Sequence, residues 1–294
     1  MKNRLAKQAA WENSVKALFF LCGVITVGFV LCISVYLLVS GLPAISQIGF
    51  KDFFLGQVWK PTASTVEPSY GILPFLLTSV YGTAGAVLLG VPLGLLTAVF
   101  LAKAAPPKLA GIIRMAVQLL SGIPSVVYGL VGMIVLVPGV QRLFQLSSGA
   151  TLFAAILVLA VMILPSIINV SETALRAVPK DYEDASLALG ATEPETWFRV
   201  TLPAAKSGVA TAIVLGVGRA IGEAMAIIMV SGSVPNMPEL FGSVRFMTTA
   251  IASEMSYAPV GSLQRQALFS IGLVLFLFIM LINVLLNVFV KKER

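Results

Sequence analysis

Six stretches of this chain are long enough to cross a lipid bilayer, and five of them carry no charge. They cover residues 17–50, 68–102, 115–141, 143–171, 203–231 and 266–290, the first ending near Gly41-Leu42-Pro43. A helix needs about 20 apolar residues to span the hydrocarbon core. Lipid offers no hydrogen bonds, so a spanning segment must satisfy its own backbone as a helix or close into a barrel. Short alternating strands separated by turns are missing, which leaves helices. The expected fold is all-α and integral to the membrane, with six transmembrane helices. At 58% hydrophobic and 11% charged residues, the chain lies far from soluble domains, which are about one quarter charged. The apolar runs imply one membrane domain.

Charge sets the orientation. The net charge is +7, but the basic residues cluster at the ends of apolar runs, which points to a bilayer and away from nucleic acid. Fourteen of them fall before span one, between spans two and three, between four and five, and after six; five fall on the opposite side. Basic loops stay in the cytoplasm, so both termini are expected there. Residues 1–16 form a cytoplasmic segment that could fold as a short basic interfacial helix with Trp11 at headgroup level. Residues 17–70 hold the first span, read as a retained anchor, and an external loop. Residues 71–290 form a five-helix core, and 291–294 a cytoplasmic tail. Two external loops are long, 42–70 and 232–265.

Several chemistries are excluded. The chain has no histidine, which removes the usual general base and the commonest metal ligand. Cys22 and Cys32 share the first apolar run and read as fillers, with no metal motif. The methionines at 225, 229, 237, 247 and 255 lack the compact spacing of a soft-metal path. An intramembrane hydrolase would need groups this chain lacks.

The fifth span carries Lys206 near its start and then Arg219 and Glu223. Ionisable groups at membrane depth face a protein interior or a watery path and have partners. The i, i+4 spacing puts Arg219 and Glu223 on one helix face. A planar guanidinium suits a bidentate oxyanion. Glu223 could neutralise Arg219 in an empty passage, or accept a proton-bearing oxygen and so reject a fully ionised competitor. The alternative is a buried ion pair that only fixes span five against a neighbour. In span three, Pro124 can bend the helix between Gly122 and Gly129. A packing kink is favoured over a broken helix that lends N–H groups to an anion. Ser121 and Ser125 are ligand candidates if that bend faces a pore. Glu172 is expected to pair with Arg176, while Glu254 and Arg265 read as solvated loop charges.

The cytoplasmic loop 177–203 reads as two short helices. Pro179 starts the first, with Asp181, Glu183 and Asp184 at its positive end. Gly190 permits a sharp stop. Thr192 caps the second helix, with Glu195 three residues later and Pro194 in its first turn. Asp184-Ala185-Ser186, then Gly190-Ala191, then Val200-Thr201-Leu202-Pro203 follow a fixed spacing. It resembles the EAA loop of ABC-type import permeases: Glu-Ala-Ala, three residues, Gly, nine residues, Ile-x-Leu-Pro. Asp184 stands for Glu and Val200 for Ile.

Further segments resemble the C-type subunit of the phosphate-specific transport permeases (the PstC family). They are Gly71-Ile72-Leu73-Pro74-Phe75, Val91-Pro92-Leu93-Gly94, the run from Gly122 to Leu130, Met162-Ile163-Leu164-Pro165, and the run from Gly218 to Ala226. The resemblance covers roughly residues 70–290. It implies an ABC type I importer permease fold and import of inorganic phosphate through half of a heterodimeric, alternating-access pore. The implied partners are a homologous A-type permease, two ATPase subunits and an extracytoplasmic phosphate-binding protein, in a bacterial plasma (inner) membrane. It also implies that Arg219 and Glu223 take part in translocation. Asp184, Ala185, Ser186, Gly190 and Ala191 would couple to the ATPases. The chain has no phosphate loop of its own, so ATP and Mg would sit on the ATPase subunits, with no cofactor bound directly and no enzymatic activity here. Alternatives are a permease for sulfate, molybdate or phosphonate, or a passive anion channel.

Overall fold

The computed structural model describes residues 2–62 and 67–292. Fourteen α-helices and three π-helical segments occur among them, with one β-hairpin of two-residue strands. Helix α1 runs unbroken over Lys2–Ile48. The basic segment therefore continues straight into span one, where a separate interfacial helix was expected. The helix also passes through Pro43, which gives up one backbone hydrogen bond there. Next follow α2 (Phe50–Leu55) and the hairpin of β1 (Trp59–Lys60) and β2 (Ser69–Tyr70), paired Trp59 to Tyr70 and Lys60 to Ser69.

Span two is α3 (Leu73–Val99), which widens into a π-helical segment, Phe100–Ala104. Next come α4 (Pro107–Gly122) and α5 (Ser125–Val131), which passes through π-helical Gly132–Leu136 into α6 (Val137–Leu143). Span four is α7 (Leu152–Arg176). The loop after span four contains α8 (Lys180–Ala188), α9 (Glu193–Thr196), a π-helical segment Trp197–Thr201 and α10 (Leu202–Ala204). Helix α11 (Lys206–Gly222) then turns away by 74°. It is followed by α12 (Met225–Val230), α13 (Met247–Glu254) and α14 (Leu263–Lys292). Of the expected tail 291–294, residues 293–294 lie outside the described residues.

Among the described residues five helices are long and apolar enough to cross a bilayer, and the bent pair ending in α11, counted as one span, makes six. The third span begins at Ser125, ten residues later than the uncharged run suggests, because α4 is a separate helix.

Helix α7 is the axis of the bundle. Leu152, Ile156, Leu159, Ile163 and Ile167 are all buried on it. Helix α3 approaches it through small residues one turn apart, as membrane helices do when backbones must come close. A Cβ at Gly90 or Gly94 would lie 2.7 Å from Ile163 or Ile167. Helix α11 meets α7 at Gly216, where a Cβ would lie 3.0 Å from Ile167. Helix α1 touches the remainder mainly through α14. There, Tyr36 meets the edge of Phe269 at 5.4 Å and Ser270 donates to the Gly41 carbonyl. The apolar stretch of α1 is otherwise uncovered. Cys22 and Cys32 are exposed and unbridged.

Candidate functional site

Two helix breaks lie at span ends, one just before span three and one just after α11. Helix α4 stops at Gly122, Ile123 and Pro124 are extended, and α5 starts at Ser125. This is a true break, where the residue pattern favoured a kink. Proline bars the preceding residue from helical geometry and supplies no N–H of its own. The Tyr128 hydroxyl bridges the gap by donating to the Leu120 carbonyl at 2.7 Å. Ser125 is half-buried in the first turn of α5; Ser121 is exposed in the last turn of α4.

The second break corrects the reading of Arg219 and Glu223. Helix α11 ends at Gly222, and Glu223 is extended with ψ 129°. The two residues therefore do not share a helical face. Among the described residues they form no ion pair with each other. Glu223 Oε1 instead accepts from the Ala226 N–H at 2.9 Å. A carboxylate there satisfies a free donor at the positive end of α12. Thr248 of α13 donates to the Glu223 carbonyl at 2.7 Å. The carbonyl and the carboxylate of one residue thus hold the break from two sides.

Arg219 is half-buried and, among the described residues, makes no hydrogen bond or ion pair. Its field reaches the Tyr128 phenol. A Cβ at Gly218 or Gly222 would meet nothing within 4 Å, so this flank of α11 is not covered by the chain. Gly122, at the other break, is equally open. Helices α5 and α12 lean together in parallel: a Cβ on Gly129 would strike Ala226 at 2.8 Å, and one on Gly132 would strike Val230 at 2.8 Å. The two breaks and the uncompensated guanidinium are thereby brought into one region.

The loop between α7 and α11 folds as its residues dictate. Gly190 takes φ +89° at the stop. The Thr192 N–H and hydroxyl both donate to Glu195 Oε2 at 3.0 Å. The backbone N–H first, and the hydroxyl second, hold the Glu195 carboxyl below the usual carboxylate range. Asp184, Ala185 and Gly190 are exposed, with Leu189 91% and Tyr182 57% exposed. Ser186 turns inward, its hydroxyl 2.9 Å from that of Thr196, and Ala191 is half-buried.

The family of binding-protein-dependent transport system inner membrane components matches this chain over residues 90–294. The chain belongs to that family. The permease is 39% identical to the probable ABC transporter permease protein YqgH of Bacillus subtilis, with 90% of this chain and 87% of that one aligned. It is 35% identical to the phosphate transport system permease protein PstC of Pasteurella multocida, over 78% and 77% of the two chains. The PstC of Haemophilus influenzae is 33% identical over 100% and 98%. Among solved structures, the inward-facing MetNI methionine ABC transporter covers 76% of the permease and 96% of its own chain, with a TM-score of 0.60 and 20% identity. That likeness establishes the ABC type I importer fold.

Sequence reasoning missed three features of the permease. Glu172 does take Arg176 at 2.9 Å, but it also takes Arg114 of α4 at 2.7 Å. Both guanidinium groups further donate to the Leu101 carbonyl, at 3.2 and 2.8 Å. That oxygen is available because Ala105 N–H bonds to Phe100 and Pro106 has no N–H to offer. The proline after the span was the readable signal. Glu183 pairs with Lys103 and accepts from Thr201 at 3.1 Å. Glu254 is not a solvated charge: it holds Arg245, the Trp59 indole N–H at 3.0 Å and Gln264 at 3.3 Å. Arg265 donates to the Ala258 carbonyl at 3.1 Å. Met247 is buried in the core. No cluster of metal-ligating residues occurs among the described residues.

Proposed function

We propose that this permease imports inorganic phosphate as one half of a heterodimeric, alternating-access pore, driven by ATP hydrolysed on separate subunits. The phosphate cargo is supported by the names of the PstC relatives, at 35% and 33% identity over most of the chain. The observation that carries the mechanism is Arg219, a cation without an acid among the described residues, on an uncovered flank beside two helix breaks. Charged groups at this depth need compensation, and a tetrahedral oxyanion supplies it while matching the guanidinium fork. Ser125 and Ser121 flank the neighbouring break as further donors. Glu223, anchored on Ala226 through one oxygen, keeps its other oxygen for a protonated phosphate.

The partners in this reading are an A-type permease facing α5 and α11, two ATPases and an extracytoplasmic phosphate-binding protein. The ATPases hold ATP and Mg and dock on the exposed Asp184, Ala185 and Gly190, with Ser186 and Ala191 behind them. Residues 71–290 form the permease core, and 177–203 the coupling loop. Both termini lie in the cytoplasm of a cell whose inner membrane holds the complex, as the basic-residue excess implies.

The test is ATP-dependent phosphate uptake by vesicles containing the full complex. Arg219→Gln is expected to lower uptake on the order of a hundredfold, the cost of removing one member of a desolvated charge pair. Uptake within twofold of the parent, with the complex intact, would sink the assignment.

A further inference from the structure

The coupling loop presents three acids in its first helix, and the structure sorts them. Asp184, which occupies the motif position, is exposed, as is Asp181. Glu183 turns the other way. It pairs with Lys103 with side-chain exposures of only 19% and 13%. It also accepts a hydrogen bond from Thr201 at 3.1 Å, and Thr201 is fully buried.

Each contact leads to a different span. Lys103 lies in the π-helical segment that ends span two. Thr201 lies in the π-helical segment before the 74° bend into α11, the helix that bears Arg219. The Ser186–Thr196 contact, one turn along α8, ties the same face to α9. Glu183 is therefore the point where one short cytoplasmic helix grips two membrane spans. A poorly solvated ion pair resists separation, because parting it leaves both charges without water or partner.

We propose that Glu183 is the residue that transmits movement of the coupling loop into the membrane, pulling span two through Lys103 and the Arg219-bearing helix through Thr201. The outward acid, Asp184, serves the docking face only. Glu183 is a positioning residue, since it touches neither cargo nor nucleotide. The inference rests on reading 177–203 as the ATPase-coupling loop.

The experiment uses the complete complex in vesicles and measures ATP hydrolysed per phosphate carried, together with retention of the ATPases on purification. Glu183→Gln is expected to raise that ratio about tenfold while the ATPases remain bound, in the range by which residues along a coupling network alter it. The exchange Lys103→Glu with Glu183→Lys should bring the ratio back to within about twofold, as expected when two residues act as a pair. Should Glu183→Gln prevent assembly, Lys103→Gln removes the same pair without altering the docking helix and should raise the ratio equally. A parental ratio in Glu183→Gln, or in Lys103→Gln where assembly forces its use, overturns the proposal. So does an assembled exchange variant that stays uncoupled. Gly190→Trp separates the two levels: if it leaves ATPase binding and coupling intact, the loop reading itself fails. If it abolishes them while Glu183→Gln stays coupled, only the role of Glu183 fails.

Discussion

The two helix breaks, before span three and after α11, reach similar backbone geometry by different means. At Ile123-Pro124 the break is imposed locally. Proline ends α4, and the bridging hydrogen bond joins Tyr128 to Leu120 within the same stretch of chain. At Glu223 no proline intervenes, and the break is held from outside. Thr248, 25 residues on, supplies the donor for its carbonyl, and Ala226 engages its carboxylate. The first break is a property of its sequence neighbourhood. The second has one local bond, from Ala226, and one that forms only when α13 packs beside it, so its geometry is linked to the segment that α13 belongs to.

That contrast can be broken by removing one hydrogen bond from each side. Thr248→Val keeps the shape and deletes the donor. Leaving the Glu223 carbonyl without its partner should cost about 1–3 kcal/mol, with a matching drop in midpoint of detergent-solubilised thermal unfolding and loss of transport. Tyr128→Phe should cost less, about 0.5–1.5 kcal/mol, because Pro124 keeps the backbone extended without help. Equal losses in the two variants would erase the distinction between an imposed and a supported break.

The smallest effect concerns the cytoplasmic loop, whose turn is also closed locally. The Glu195 carboxyl is held below its usual range by Thr192. The sign follows from linkage: a carboxyl lowered in the folded state adds stability above its ordinary titration range and loses it as pH falls through the lowered value. Amide exchange across 192–197 should thus stay slow, relative to pH-matched unstructured peptide, at neutral pH. Protection should weaken only below the usual carboxylate range. Glu195→Gln should remove that acid transition and leave the remaining loop unchanged. Protection that fades at or above that range in the parent would show the cap to be inert.

The pattern of what could be read ahead follows contact range. Spans two, four and six, the stop at Gly190 and the Thr192–Glu195 cap all arise from neighbours in sequence, and all are legible. So is Glu172 with Arg176, one turn apart. Arg114 reaches the same carboxylate from 58 residues away, and Glu183 meets Lys103 across 80; no periodicity announces either. Glu254 looked like a loop charge because its indole partner, Trp59, lies 195 residues off. Arg219 and Glu223 misled in a subtler way. Their spacing is helical, but a helix can end inside any interval, and Gly222 ends this one. The family resemblance singled out both residues without revealing that the chain turns between them.

The Leu101 oxygen has a mechanical corollary. Two guanidinium groups, from α4 and α7, converge on one carbonyl of the segment that continues α3. Sliding α4 or α7 removes one of the two donors, and sliding the segment that continues α3 removes both, while the first two motions also strain the Glu172 ion pairs. These three helix ends are thus cross-tied by charge, and parting poorly solvated charges is costly. The proline-free joint beside Gly222 is tied more lightly, by one bond to the Glu223 carboxylate and one to its carbonyl, and is the softer place for the bundle to flex.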